Sequence, residues 1–201
     1  MEDELKIHVL FERGDMQAAA TAAIDRYGPE VLGFLMSLLG DDRAGREVFS
    51  ETCDNLWTSL AHFQWRCSMR TWFYGLARRA ARRFQRAHRA QNGLPVRAFR
   101  GTQAIDYVVA PKADCHFQIN VEDRLRAIRE ALGTNDRALL MLRLDRGLAW
   151  EEIARIFSHG DASDETLRRV AIGLRKRFQG VRIKIRALAC EAGLLSNGPC
   201  S

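Results

Sequence analysis

Met69-Arg-Thr-Trp-Phe-Tyr-Gly-Leu-Ala-Arg-Arg-Ala-Ala-Arg-Arg-Phe-Gln-Arg86 is the stretch on which the fold turns. Trp72, Phe73, Leu76, Ala77, Ala80, Ala81 and Phe84 recur at the three-and-four spacing of a helix with one apolar stripe. Arg78, Arg79, Arg82, Arg83, Arg86 and Arg89 fall on the other side. No Asp or Glu occurs between Asp54 and Asp106. An ordinary solvated helix face mixes both signs, whereas a face of one sign repels itself. It suits a polyanionic partner, and nucleic acid fits best.

Upstream, residues 43–61 predict a strongly periodic helix. Val48, Phe49, Thr52, Cys53, Leu56, Trp57 and Leu60 face inward, and Glu47, Glu51, Asp54 and Asn55 face out. Residues 16–39 read as helical, with Gly28-Pro29 expected to break them into two helices. Gly40-Asp41-Asp42 ends that segment and starts the next. Residues 62–70 read as a loop, and the arginine-faced helix runs over 71–89. These make a compact helical module over 16–90. Gly93, Pro95, Gly101 and Pro111 punctuate an aperiodic linker, 91–121. Periodicity then returns as helices over 122–132 (Leu125, Ile128, Leu132), 135–146 and 150–157, and a basic helical region over about 165–190. Thr134 is the expected N-cap of the second, and Gly147 its stop. The expected fold is all-α: two small helical domains, 16–90 and 122–195, joined by an irregular linker.

The 201 residues carry a net charge of +6, distributed unevenly. Residues 1–55 are acidic, and the positive charge sits in 66–100 and 168–186. Two kinds of surface with different partners follow. Met1-Glu-Asp-Glu-Leu-Lys lacks the basic and apolar regions of a signal peptide. No stretch approaches the ~18 apolar residues of a membrane span. Five cysteines at irregular spacing (53, 67, 115, 190 and 200) do not suggest a disulfide framework. A cytoplasmic, reduced protein is expected, with Cys53 acting as a small hydrophobe. Neither a phosphate-cradling Gly-rich loop nor a dinucleotide fingerprint is present. The histidines at 8, 62, 88, 116 and 159 do not pair at metal spacing, and Cys115-His116 is a weak candidate in the linker. No catalytic residue, metal or cofactor is expected.

In the C-terminal module, Gly147-Leu-Ala-Trp-Glu-Glu-Ile-Ala-Arg-Ile-Phe157 has the form of the first helix of a helix-turn-helix. Ile153, Ala154 and Phe157 pack, the small Ala154 allows a close crossing, and the basic helix that follows would enter a major groove. Taken in order, the two modules resemble an extracytoplasmic-function (ECF) sigma factor, of the sigma-70 family of bacterial RNA polymerase. The best match is Phe63-Gln-Trp-Arg-Cys-Ser-Met-Arg-Thr-Trp-Phe-Tyr-Gly-Leu-Ala-Arg78, similar to the family segment ending Arg-Thr-Trp-Leu-Tyr-x-Ile-Ala-Arg-Asn.

The resemblance implies roles. The loop from Gln64 to Ser68, with Trp65 and Arg66, would capture a flipped base of the −10 promoter element. Arg70, Arg78, Arg79, Arg82, Arg83 and Arg86 would hold its phosphates and bases. Strand capture needs aromatic or cationic planes plus a basic groove, and Trp65 is placed to stack. Glu47-Val-Phe-Ser-Glu51 stands where the family has Asp-Leu-x-Gln-Glu. By that likeness Glu47, Ser50, Glu51, Asp54 and Asn55 would grip the clamp coiled coil of the polymerase's largest subunit, although Glu47 and Ser50 depart from the family residues. The linker would thread near the RNA exit path, and the C-terminal module would sit by the flap and read the −35 element. Two registers are open for its reading helix. In one, Asp164 caps a helix starting at Thr166 that presents Arg168 and Arg169. In the other, which we favour, an extra turn intervenes and the segment from Leu174 to Arg186 reads the groove with Arg175, Lys176, Arg177 and Arg182. Gly180 inside that segment has no explanation beyond close approach to a backbone.

The expected partners are thus bacterial core RNA polymerase, promoter DNA and, as the family implies, a cognate anti-sigma factor. A free-standing helix-turn-helix regulator binding operator DNA is the alternative. It leaves the acidic helix and the loop without a role. A membrane-surface protein using 71–89 as an interfacial helix is disfavoured by the second basic module.

Overall fold

The computed structural model describes residues 2–92, 128, 131–158, 162–191 and 194. Seven helices of a turn or more of α-type order these residues: α1 Glu2–Glu12, α2 Met16–Leu39, α3 Asp42–Ser59, α4 Met69–Asn92, α5 Thr134–Leu140, α6 Trp150–Phe157 and α7 Asp164–Glu191. A 3₁₀ turn, Leu60–His62, follows α3, and a π turn, Met141–Asp145, follows α5. There is no strand among the described residues. The expected linker, Cys115-His116, and most of the helix over 122–132, Leu125 included, lie outside them. Ile128 and Leu132 are buried as expected.

Local chemistry sets the boundaries. Asp15 accepts from the Ala18 amide at 3.0 Å and caps α2, and Asp41 accepts from the amides of Arg43 and Ala44 at 2.8 and 3.0 Å and caps α3. Between α2 and α3, Gly40 turns the chain at φ 69°, a left-handed conformation that a side chain would disfavour. Gly147 does the same at φ 65°, stopping the segment after α5. Thr134 is the first residue of α5 rather than its cap; Gly133 holds the cap position with no side chain to contribute.

The expected break at Gly28-Pro29 does not occur, and α2 is continuous through Pro29. Proline costs a helix interior about 3 kcal/mol, but residues on both sides of it, Ala20, Ala23, Val31, Phe34 and Leu35, bury in one core. Burial of several such side chains outweighs that cost at about 1.5–3 kcal/mol each for the larger ones. Gly28 admits the ring of Phe49, which would lie 3.3 Å from an added Cβ.

α2, α3 and α4 form the N-terminal core, with α1 laid on α2. Val48, Thr52, Leu56 and Leu60 of the α3 stripe are buried and Phe49 and Cys53 half-buried. Trp57 was expected inside but is exposed, because it lies on the flank of α3 shared with Asp54. Burial and the neighbouring Asp54 push the Cys53 thiol up to about 11, so it stays a neutral, space-filling group. The C-terminal helices pack around Leu139, Leu142, Ile153, Ala154, Leu167, Ala171, Leu174 and Phe178, and this cluster is continuous with the N-terminal core. Among the described residues no helix is long and apolar enough to cross a membrane.

α2 and α3 approach closely at Gly45, where an added Cβ would meet the Met36 Cα at 2.7 Å and its amide nitrogen at 2.9 Å. Backbone cannot move aside as a side-chain tip can, so Gly45→Ala should lower unfolding free energy by about 1–3 kcal/mol in denaturant titration, the usual range for overpacking.

Candidate nucleic-acid interface

α4 is the centre of the site. Ser68 caps it, accepting from the Thr71 amide at 3.1 Å, and Glu4 of α1 accepts from the Met69 amide at 2.5 Å. The Glu4 carboxylate at this end suits the helix dipole. The buried face is Phe73, Tyr74, Leu76, Ala77, Ala80 and Ala81. Tyr74 meets Phe34 edge-on with ring centroids 5.3 Å apart, and Phe73 lies 6.4 Å from Phe49.

The arginines are not equivalent. Arg86 is exposed and Arg82 half-buried. Arg83 reaches α3, its Nη2 2.6 Å from the Glu51 Oε1. Arg70 is held by Glu30, donating at 2.6 Å from Nε and 3.1 Å from Nη2, so its charge is already matched within the chain. Arg79 is half-buried, and burial together with Arg83 lowers its pKa.

Arg78 departs from the expected solvent-facing pattern, being only 4% exposed. The C-terminal domain covers it. Its guanidinium carbon lies 3.8 Å from the centroid of the Phe157 ring, and its Nη2 donates to Asn135 Oδ1 at 2.9 Å. Burial, then Arg82 and Arg177, push its pKa down to about 10, so it remains a cation at neutral pH. Nearby, Thr71 donates to Glu152 Oε1 at 2.9 Å, while Oε2 of Glu152 accepts from the Ala149 amide at 2.8 Å and caps α6. Arg137 donates to the Leu38 carbonyl at 3.2 Å. The sequence pattern of α4 locates its arginines but not these partners, which come from 57 to 81 residues downstream.

Beside this contact lies a cleft of about 370 Å³. One wall is the loop and the start of α4, with Phe63, Gln64, Arg66, Cys67, Trp72 and Arg79; the other carries Arg155, Ser158, Ala162 and Leu167. Aromatic rings beside arginines are the chemistry that holds an unpaired base and its phosphate. Trp65 does not face this cleft in the expected way. It sits at φ 54°, uncommon for a residue with a Cβ, and turns toward α1, 4.4 Å from the His8 ring, 5.7 Å from Phe11 and 5.0 Å from Phe63.

α1 is the element that sequence reading missed. Its signal was the first-turn acids Glu2, Asp3 and Glu4, too short a pattern beside an otherwise mixed helix. Glu4 also accepts from the Tyr27 hydroxyl, and burial followed by this bond raises the Tyr27 pKa.

The acidic face of α3 is as expected: Glu47, Ser50, Glu51 and Asp54 are exposed, and half-buried Asn55 donates to the Glu51 carbonyl at 2.6 Å.

In the C-terminal domain α7 is one uninterrupted helix from Asp164 to Glu191. Ser163 caps it, accepting from the Thr166 amide at 3.3 Å, and Asp164 is already helical and lies 3.7 Å from Arg155. The favoured register required a separate turn before Leu174; no break exists there, because Leu167, Ala171, Leu174 and Phe178 bury along one continuous stripe. Arg168 and Arg169 are exposed at its N-terminal end. Arg177 donates to Asp136 at 2.6 Å and Arg175 lies 3.4 Å from Glu151, so both are engaged by their own domain. Lys176 and Arg182 are exposed. An added Cβ at Gly180 would have open space around it, so close approach does not explain that glycine.

Residues 23–91 match the family model of sigma-70 region 2, spanning the acidic face of α3, the loop and the arginine helix. No protein among those with curated functions matches the chain. Its fold is similar to that of the sigma factor RpoE from Bartonella quintana, solved in complex with the anti-sigma factor NepR, with a TM-score of 0.61 at 15% identity over 82% of this chain and 92% of that one. The likeness in fold therefore spans both halves of the chain, whereas the family model covers the N-terminal half.

Glu4→Ala removes acceptors from both Tyr27 and Met69. It should destabilise the chain by about 1.5–3 kcal/mol, the range for a hydrogen bond to a charged group, and make Trp65 more accessible to a fluorescence quencher.

Proposed function

We propose that this chain, in its sigma factor role, recruits bacterial core RNA polymerase to promoters and opens them. What carries the reading is the match over residues 23–91, which contains an exposed acidic face and a helix of arginines as two separate surfaces. Acidic Glu47, Glu51 and Asp54, with Ser50, Asn55 and exposed Trp57 beside them, have the chemistry of a protein-docking face. The clamp coiled coil of the largest polymerase subunit is the proposed occupant. The loop from Gln64 to Arg66 and the arginines at 78, 79, 82, 83 and 86 hold the unpaired −10 strand. The C-terminal helix-turn-helix binds the −35 duplex. Helix N-termini concentrate base contacts, so Arg168 and Arg169 at the start of α7 lead this contact, and Lys176 and Arg182 hold phosphates further along. RpoE was solved with an anti-sigma factor, and a partner of that kind is proposed here as well.

Run-off transcription with purified core polymerase on genomic fragments tests the proposal. New start sites that depend on this chain support it. Absence of transcripts together with tight, sequence-specific duplex binding by the chain alone would favour an operator-binding regulator. Glu51→Lys should abolish co-purification with core polymerase. Arg86→Ala should leave co-purification intact and weaken strand opening, read by permanganate footprinting. Arg168→Ala should cost about 1–3 kcal/mol of −35 discrimination, the worth of one bidentate base contact, and Arg175→Ala much less.

A further inference from the structure

The cleft beside α4 is walled by two domains. Phe63, Trp72 and Arg79 line its N-terminal side, and Arg155 and Ser158 its C-terminal side. Phe63 and Trp72 stack with ring centroids 4.6 Å apart and 25° between planes, so the aromatic side of the cleft is braced. Half-buried Arg79 faces no carboxylate among the described residues; burial and the like charge of Arg83 are what act on it. Arg155 has Asp164 at 3.7 Å, but that carboxylate is 86% exposed, and so long and wet a pair does little to satisfy a guanidinium. Glu152, the other acid close by, is already engaged, its two oxygens accepting from Thr71 and from the Ala149 amide. The Ser158 hydroxyl oxygen is buried and has no hydrogen-bond partner among the described residues. A buried polar atom without a partner is costly, and in the wall of a cleft it marks bonding that a ligand can complete.

We propose that this cleft is a binding site for a free nucleoside monophosphate, held by both domains at once. The base packs against Trp72, the phosphate lies between Arg79 and Arg155, and the Ser158 hydroxyl donates to a phosphate oxygen. An aromatic plane takes a base of any sequence, and guanidinium groups match the geometry of phosphate oxygens. Two observations point to a small molecule rather than a strand. The volume of about 370 Å³ stands at the lower end of the ~300–1,000 Å³ of small-molecule sites and holds roughly one nucleotide. The orphaned hydroxyl and Arg155 lie on the C-terminal wall, whereas the groups assigned above to the strand, Gln64 to Arg66 and the arginines of α4, all lie on the N-terminal one. The site therefore stands independently of the strand-binding role. A ligand that touches both walls binds only while the two domains are together, so it stabilises the whole chain by mass action. The level of a small nucleotide is thereby felt by the fold, while the acidic face of α3 lies outside the cleft.

Isothermal titration of the full chain with adenosine 5′-monophosphate, cytidine 5′-monophosphate, adenosine and inorganic phosphate tests the site. Both monophosphates should bind saturably and raise the melting temperature. Adenosine and phosphate, each lacking part of the contacts, should bind at least about tenfold more weakly. Arg155→Ala should weaken the monophosphates about ten- to a hundredfold, the equivalent of one hydrogen bond to a charged group, and Arg155→Lys by less. Ser158→Ala removes one hydroxyl, adds no bulk and should also weaken them, which keeps the test open if Arg155→Ala does not fold. A short fluorescein-labelled single-stranded oligodeoxynucleotide, read by anisotropy, should bind Arg155→Ala as it binds the parent. If neither monophosphate binds, if inorganic phosphate binds as tightly as they do, or if Arg155→Ala and Ser158→Ala bind them like the parent, the nucleotide site is overturned. If Arg155→Ala loses oligonucleotide and monophosphate together, the cleft is part of the path of the strand, and the free-nucleotide site is overturned as well. Monophosphate binding as expected, with no oligonucleotide binding by the parent, upholds the site and removes the strand-binding role.

Discussion

The close packing of α4 against α2 and α3 through side chains no larger than a methyl group is the constraint on which the rest of this molecule depends. Ala77, Ala80 and Ala81 are fully buried. Small residues let the helices approach until Phe73 and Tyr74 can reach the rings of Phe49 and Phe34. A helix so rich in arginine would repel itself if isolated. Here the apolar contact holds it. Gly45 plays the matching part on the opposite side of the core, where only a hydrogen fits against the Met36 backbone.

Much of this was legible in the sequence because it is periodic. The stripes of α3 and α4, the Gly40–Asp41 boundary and α6 over 150–157 all follow from local spacing and capping chemistry. The failures share a cause. Pro29 reads locally as a break, yet α2 runs through it because core residues on both sides bury together. Trp57 fits the apolar stripe by identity but sits on its edge. The turn into α7 looked long enough to hold an extra helical turn, whereas Ser163 starts one continuous helix. In each case the deciding contacts lie outside the window in which a pattern can be read.

The site shows the same division. Which side chains are arginines on one face of α4 is a local fact. Which of them are available is a tertiary one. Glu30 takes Arg70, Glu51 takes Arg83, and Asn135 with Phe157 takes Arg78. Trp65 is turned toward a helix, α1, which meets it with His8 and Phe11 and fully buries Ile7 alone, too little to read as an amphipathic repeat. A charge count therefore overstates the free cationic surface, and the surplus lies at Arg86 and along α7.

The Arg83–Glu51 pair joins the two surfaces that the proposed function keeps apart. Both side chains are about half exposed, at 53% and 45%, so the bond is worth roughly 0–1 kcal/mol. Arg83 cannot offer the same N–H groups to Glu51 and to a phosphate. Whatever draws Glu51 away leaves Arg83 short of a partner, and whatever draws Arg83 away does the same to Glu51. Binding energies at the two faces are then linked reciprocally: each guest makes the molecule a better host for the other, by a factor of up to about five for a bond of this strength. Under the proposed function, a single surface ion pair would therefore couple the polymerase-facing and strand-facing sides of a small helical domain without any change of shape.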